Sequence, residues 1–212
     1  MPERRDLPLY AFDIETTGLF CSDARVTTVA VYSPDVSFVI EDNDERRLIT
    51  ALGERFASLP AGVVCTWNGA VFDGPFLTGR SRRLGIGDWF RLRIDRTIVP
   101  KYEPQPGFAP EGLHPLFPAA DTMSDGGNWH DHLDAAYLWK DWAQVNDVKW
   151  ELKPVARANG LDVIEVDREH MDALSVAERM AYNLSDVVAT YQLAGGPHGM
   201  GRGRAEGAFQ DA

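Results

Sequence analysis

The feature that most constrains this chain is a pair of carboxylates one residue apart at the end of a short apolar segment. The segment reads Leu9-Tyr10-Ala11-Phe12-Asp13-Ile14-Glu15 and stops at Thr16-Thr17-Gly18. A run this short and apolar predicts a buried strand, whose side chains alternate between the two faces of a sheet. Asp13 and Glu15 therefore project from one face. Two buried anions repel each other, so a divalent cation such as Mg²⁺ or Mn²⁺ would compensate them; solvated acids at a strand end are the alternative.

A second segment joins a strand, a turn and another acid. The run Val63-Val64-Cys65-Thr66-Trp67 predicts a strand, and Asn68-Gly69 after it predicts a turn. Asp73 follows, just before Pro75 and a predicted helix. Because Asp is a favoured N-cap and Pro is tolerated in the first turn, a simple helix cap is one interpretation of Asp73. A functional acid is the other.

A third segment lies near the end of the chain. Ser175 and Glu178 have the spacing of a capping box and predict the start of a helix. Tyr182 and Asp186 follow four residues apart, which places them on one face of that helix. Such a pair by itself is typical of ordinary surface neighbours, so its meaning depends on the other two segments.

Taken together, the three segments resemble the motifs of the DEDD 3′–5′ exonucleases of the ribonuclease H-like superfamily. Residues 13–18 are similar to the first motif, residues 68–73 to the second, and residues 182–186 to the third in the tyrosine form that marks the DEDDy branch. The second segment most resembles the proofreading domains of B-family DNA polymerases and their stand-alone relatives. The resemblance implies an α/β fold: a ribonuclease H-like mixed sheet with helices on both faces.

The resemblance also implies an activity and a set of catalytic residues. The chain would remove nucleotides from the 3′ end of nucleic acid, with single-stranded DNA favoured and RNA as the alternative. Asp13, Glu15, Asp73 and Asp186 would bind two Mg²⁺ or Mn²⁺ ions. Tyr182 would orient the attacking water rather than take its proton, because free tyrosine has a pKa of about 10.

Substrate contacts are implied for four residues beside these motifs. Thr16 and Thr17 would contact the terminal nucleotide through backbone and hydroxyl groups. Asn68 would bind the sugar and Phe72 would stack on a base, since stacking on an aromatic ring tolerates any base.

Three weaker candidates lie elsewhere in the chain. Lys153 would position the scissile phosphate, as a lysine in this region does in some relatives, but we expect it to be a solvated surface residue. The sequence His132-Leu133-Asp134 resembles a His-x-Asp of the B-family branch. His132 and Asp134 would either support the metal ligands from behind or start the helix that follows.

The net charge of −11 is unusual for a protein that binds nucleic acid, whose affinity comes largely from neutralised phosphates. Basic residues are nevertheless concentrated after the second motif, where residues 80–101 contain seven basic and two acidic side chains. We expect Arg82 and Arg83 in this segment to carry the substrate backbone past the metals; a solvated helix face is the alternative. The overall charge predicts weak, salt-sensitive binding and a protein partner that compensates for it.

Length and composition indicate one globular domain. The 212 residues, 44% of them apolar, suffice for one sizeable core, which we assign to residues 1–194. A Pro-rich insertion is expected at about 99–128, and a Gly- and Ala-rich disordered tail at 195–212. Strands are predicted near 8–15, 26–33, 36–41 and 62–67, and helices near 44–58 and 74–84.

The same composition predicts a cytoplasmic protein that does not enter a membrane. The charged start has no signal-peptide pattern, and no apolar run reaches membrane-spanning length. Two cysteines give no disulfide framework, which favours a reducing compartment.

Two other functions compete with an active exonuclease. One is a nucleic-acid-binding module that keeps the fold but is catalytically silent, which the presence of all five motif residues disfavours. The other is a metallophosphodiesterase that uses the same carboxylates on small substrates, which the acidic charge favours.

Overall fold

The computed structural model describes residues 7–86, 92–93, 130–167, 171 and 173–199. The expected insertion at 99–128 and most of the expected tail lie outside these residues, so both stay predictions. The strands are β1 (Leu9–Thr16), β2 (Val26–Tyr32), β3 (Ser37–Glu41), β4 (Val63–Thr66), β5 (Leu92–Arg93) and β6 (His130–Asp134). The helices are α1 (Glu45–Ser58), α2 (Asp73–Arg83), α3 (Ala135–Leu138), α4 (Lys140–Val145), α5 (Leu152–Ala158), α6 (Val176–Leu193) and α7 (Gly196–Gly199).

The six strands form one mixed sheet in the order β3-β2-β1-β4-β6-β5. The first three are antiparallel neighbours, whereas β4 runs parallel to β1 and β6 runs parallel to β4. The predicted mixed sheet is therefore confirmed, and β1 lies near its centre.

Helices cover both faces of this sheet, and β1 shows which side chains meet them. Phe12 and Ile14 lie in the core that also contains Leu52 of α1. Ala11 packs instead with Val187 of α6. Because side chains alternate along a strand, the odd-numbered residues of β1, including Asp13 and Glu15, face α6.

Helix α6 begins where its sequence predicts. The Ser175 hydroxyl accepts a hydrogen bond from the Glu178 amide, and the Glu178 carboxylate accepts one from the Ser175 amide at 2.7 Å, which completes the capping box. Arg179 in the next turn forms an ion pair with Glu41 of β3. The start of α6 is thus held against the edge of the sheet.

Two observations bear on the remaining expectations. Residues 196–199, which fall in the predicted tail, form α7, while residues 200–212 lie outside the described part of the chain. Among the described helices, none combines the length and hydropathy that crossing a membrane requires.

Candidate active site

Three carboxylates meet where β1 ends beneath α6. Asp13 and Glu15 of β1 and Asp186 of α6 each offer one oxygen, and these oxygens lie within 4.8 Å of one another. The register between β1 and β2 shifts between Glu15 and Thr16, so the strand pairing is disturbed beside the cluster. The fold therefore brings the first and third sequence motifs together, an arrangement that the family resemblance implied and that neither strand alternation nor helical spacing could predict alone.

The donor set of this cluster suits a hard divalent cation. Carboxylate oxygens are the ligands that Mg²⁺ and Mn²⁺ prefer, and soft metals would call for sulfur. Three acids held this closely repel one another, and Asp186 is only 4% exposed, so water screens that repulsion poorly. The arrangement fits a metal ion better than it fits a set of solvated acids.

Lys153 lies inside this site, which corrects our expectation of a solvated surface lysine. Its side chain is buried, and its Nζ lies 3.1 Å from Oδ1 of Asp186. The same ammonium lies 3.7 Å from the ring centroid of Tyr182 and donates a hydrogen bond to the carbonyl of Ile164. Lysine is rarely buried without a compensating anion, so the acid cluster explains its position.

Asp73 is the fourth acid of the resemblance, and the structure places it next to the cluster without making it one of the three grouped acids. Its Oδ1 accepts a hydrogen bond of 3.1 Å from the amide of Ile14, the residue between Asp13 and Glu15. The cap interpretation of Asp73 is wrong, because Phe72 is the N-cap of α2 and no side chain caps that helix. Burial raises the pKa of Asp73 to about 8, and the charges of Asp134 and Glu15 add to that shift.

Asp134 holds the turn that carries the second motif. Its Oδ1 accepts hydrogen bonds from the amides of Asn68 at 2.7 Å and Ala136 at 3.2 Å, and its Oδ2 accepts one from the amide of Ala70 at 3.1 Å. Asp134 therefore starts α3, as one of our two alternatives had it, and it also fixes the turn between β4 and α2; its support of the metal ligands stays a prediction. Burial raises its pKa to about 7 although three amides favour the charged form.

His132 supports the same turn through Thr66. Its Nε2 lies 2.8 Å from the Thr66 hydroxyl oxygen, and that oxygen accepts a hydrogen bond from the amide of Gly69. A Cβ at position 69 would lie 2.5 Å from the Thr66 side chain, so glycine is required there. Asn68 adopts a φ of 66°, which Asn tolerates better than most residues.

The candidate substrate residues lie at the end of β1 and in the turn between β4 and α2. Thr16 donates to the carbonyl of Gly18, and the exposed Thr17 accepts from the amide of Arg25, so both hydroxyls already brace the loop after β1. Phe72 is half-buried and packs against the Phe76 ring. In the described residues, the side-chain oxygen of Asn68 is buried and has no hydrogen-bond partner.

The arginines after the second motif are more distant. Arg82 and Arg83 are exposed in the last turn of α2, whereas Asp73 is its first residue. The helix rise puts about 14 Å between the two ends. Arg80, which we counted with this basic segment, is instead bound to Glu45 through two hydrogen bonds of 2.8 and 2.6 Å. Arg80 is therefore engaged in a structural ion pair between α2 and α1.

Sequence reasoning missed one residue of the site, Asn183. It is fully buried on α6, and its Nδ2 donates a hydrogen bond of 2.8 Å to Oδ2 of Asp13. The available signal was helical periodicity, because Asn183 precedes Asp186 by three residues and Val187 by four and so falls on the same buried stripe.

Several known proteins resemble this chain in sequence or in fold. The family model described as RNase_H superfamily matches residues 10–95. The DNA polymerase epsilon catalytic chain from Eremothecium gossypii is 28% identical over 163 residues, which cover 73% of this chain and 6% of that polymerase chain. The chain thus spans a small fraction of this relative's length.

A solved structure shares the fold. The family B DNA polymerase from the hyperthermophilic archaeon Pyrobaculum calidifontis superimposes with a TM-score of 0.56 at 19% identity, over 90% of this chain and 25% of the polymerase. Residues 10–95 match the RNase_H superfamily and the fold is shared with that polymerase, so both findings agree with the resemblance of the sequence motifs to an exonuclease-like domain.

Proposed function

We propose that this protein is a metal-dependent 3′–5′ exonuclease, with single-stranded DNA as the favoured substrate and RNA as the alternative. The observation that carries the proposal is the meeting of Asp13, Glu15 and Asp186 within 4.8 Å, with Asp73 bonded to the strand between the first two. A nuclease-type function also agrees with the polymerase relatives, although the chain covers only part of each.

Asp13, Glu15, Asp73 and Asp186 are the residues that would hold two Mg²⁺ or Mn²⁺ ions. When bound, such a pair generates a nucleophilic water at neutral pH and stabilises the charge on the leaving 3′ oxygen. The raised pKa of Asp73, about 8, means that this acid must lose its proton when it becomes a ligand. Metal binding should therefore release a proton and strengthen as the pH rises.

Tyr182 and Lys153 would act on the substrate side of the acids. The Tyr182 ring is buried beneath the Lys153 ammonium, so its position is set by packing. We assign Tyr182 to holding the attacking water through its hydroxyl. The ammonium of Lys153, already 3.1 Å from Asp186, would attract the scissile phosphate to the acids.

The substrate contacts would come from the end of β1 and the turn between β4 and α2. Thr16 and Thr17 would meet the terminal nucleotide, Asn68 its sugar, and Phe72 a base. The unpartnered side-chain oxygen of Asn68 supports its assignment, because a sugar hydroxyl would satisfy it. The net charge of −11 supports weak binding and a protein partner that brings the nucleic acid to the site.

The test is degradation of 3′- and 5′-labelled single-stranded DNA and RNA oligonucleotides with Mg²⁺, Mn²⁺ or EDTA. We expect stepwise loss from the 3′ end that EDTA and Asp13→Ala both abolish. Asp23→Ala is the matched control, since Asp23 is an exposed acid outside the cluster, and it should retain activity. Release of nucleotides from the 5′ end before the 3′ end would contradict the proposal.

The same assay separates the competing functions. The acidic charge favours a metallophosphodiesterase for small substrates, which would hydrolyse bis(p-nitrophenyl) phosphate while leaving oligonucleotides intact. A catalytically silent module would bind a labelled 3′ end in the presence of metal and show no turnover on either substrate.

A further inference from the structure

Asn183 is a buried amide beside the acid cluster. No surface of this residue is exposed, and it follows Tyr182 on the face of α6 that covers the sheet. Its Nδ2 donates a hydrogen bond of 2.8 Å to Oδ2 of Asp13. Its side-chain oxygen is buried and has no hydrogen-bond partner within the described residues.

This position is one where packing alone would favour an apolar residue. One helical turn later Val187 fills the equivalent place on α6 and packs against Ala11 and Ala30 of the sheet. A buried amide with an unsatisfied oxygen is unfavourable relative to an apolar side chain of the same shape. Packing therefore does not explain Asn183, and its contact with Asp13 does.

The hydrogen bond acts on a carboxylate that the cluster needs in its charged form. An amide donor to one oxygen stabilises the ionised carboxylate and fixes the plane of the group. Repulsion from Glu15 and Asp186 favours rotation of the Asp13 carboxylate away from them, and the hydrogen bond from Asn183 opposes that rotation. With its plane fixed, Asp13 presents an oxygen toward the other two acids.

We propose that Asn183 is a positioning residue that raises the affinity of the acid cluster for a divalent cation by orienting Asp13. This inference rests on the metal site of the proposed function. It assigns Asn183 no contact with substrate, and it predicts that the residue contributes to metal binding at the expense of folding stability.

The experiment is titration of Mn²⁺ into the full chain by isothermal calorimetry, with thermal unfolding in EDTA measured alongside. Asn183→Leu keeps the branched shape of the side chain and removes the donor, while Asn183→Ala removes both. We expect both variants to bind Mn²⁺ at least about tenfold more weakly, as is usual when a hydrogen bond to a metal ligand is lost. Asn183→Leu should unfold in EDTA at a temperature equal to or above that of the wild type.

Thr190→Val is the matched control. Thr190 is buried on the same helix, seven residues further on, about 10 Å along the axis from Asn183. The substitution removes a buried hydroxyl on α6 and leaves the hydrogen bond to Asp13 intact. Its Mn²⁺ affinity should equal that of the wild type.

Each outcome decides the matter. Wild-type Mn²⁺ affinity in both Asn183 variants overturns the inference, and so does failure of both to fold, which would make Asn183 structural. Absence of Mn²⁺ binding by the wild type overturns the metal site together with the inference. Mn²⁺ binding by the wild type without exonuclease activity overturns only the proposed function, and the affinities of the variants still decide the role of Asn183.

Discussion

Two buried acids in this protein, Asp134 and Asp186, are satisfied in opposite ways. They are almost equally buried, 3% and 4% exposed. Asp134 accepts three backbone hydrogen bonds from the turn after β4 and the start of α3. Asp186 is instead grouped with two other acids and lies 3.1 Å from the Lys153 ammonium.

Under the proposed function, the difference separates a structural acid from a functional one. Backbone amides are fixed partners, so Asp134 ties one turn to one helix. A side-chain ammonium is carried on a stem of rotatable bonds, so another cation could take its place beside Asp186. Burial alone therefore does not distinguish the two acids, whereas the kind of partner does.

The largest effect should come from replacing the functional acid. An amide cannot supply the anionic ligand, so Asp186→Asn should lose several kcal/mol of transition-state stabilisation, about 10³-fold in kcat. Its unfolding temperature in EDTA should change little, because the substitution keeps the size of the side chain and relieves repulsion. Oligonucleotide cleavage and thermal unfolding measure the two effects. A clearly lower unfolding temperature of the variant in EDTA would show that Asp186, like Asp134, stabilises the fold.

Removing the ammonium beside Asp186 should destabilise the metal-free protein. Lys153→Met takes away the positive charge 3.1 Å from the buried Asp186, which costs about 3 kcal/mol or more of unfolding free energy in EDTA. Mn²⁺ should increase the free energy of unfolding by more in this variant than in the wild type. Urea unfolding with and without Mn²⁺ measures both increments.

A matched control exists for this change. Lys149 is an exposed lysine paired with Glu151, and Lys149→Met should leave the free energy of unfolding nearly unchanged. Equal Mn²⁺ stabilisation of Lys153→Met and the wild type would show that Lys153 does not compensate the acids.

Removing the structural acid should give a loss that metal does not repair. Asp134→Ala leaves three amides without their acceptor, which costs about 3 kcal/mol of unfolding free energy. Mn²⁺ should add the same increment to this variant as to the wild type. Asp44→Ala, which removes an exposed cap of α1, is the control and should cost about 1 kcal/mol.

The raised pKa values predict how stability depends on pH. In the unfolded chain Asp73 ionises near 3.8, whereas in the folded protein it keeps its proton up to about pH 8. The folded state thus binds more protons across this window, so the stability in EDTA should fall as the pH rises through it. Asp73→Asn should make unfolding temperatures measured between pH 5 and 8 less dependent on pH, and an unchanged slope would contradict the assignment.

The smallest effect is expected at the distant arginines. Because Arg82 and Arg83 lie at the far end of α2, reversing both charges with Arg82→Glu and Arg83→Glu should raise the KM for an oligonucleotide only a few-fold and flatten its salt dependence. The kcat should be unaffected. A KM and salt dependence equal to those of the wild type would remove these residues from the substrate path.

Predictions from sequence succeeded where apolar periodicity was strong. The apolar runs of β1 and β4 and the capping box of α6 each gave the element that the structure contains. Strand β6 was missed because its pattern is inverted. His130, His132 and Asp134 are its buried residues, while Leu133 is half-buried. Such a strand has no alternation of apolar and polar residues that would predict it.

The reason for the inversion is that each buried polar residue has a partner from elsewhere in the fold. The His130 ring packs edge-on against the rings of Tyr10 and Phe56, with centroids 5.9 and 5.7 Å away. His132 contacts the hydroxyl of Thr66, and Asp134 accepts a hydrogen bond from the amide of Asn68 in the turn after Thr66. These partners come from distant parts of the chain, so local pattern does not indicate them.

The sequence by itself determined strands β1 and β4, the shared face of Asp13 and Glu15, and the start of α6, because strand alternation, helix capping and helical spacing are local properties. The mixed sheet was expected from the resemblance of the motifs to the ribonuclease H-like superfamily. Only the tertiary structure decided that Lys153 is buried against Asp186, that Asp134 holds the second-motif turn, and that Asn183 contacts Asp13. Whether a polar side chain is buried depends on the partner it meets, and packing of α6 and β6 against the sheet supplies those partners.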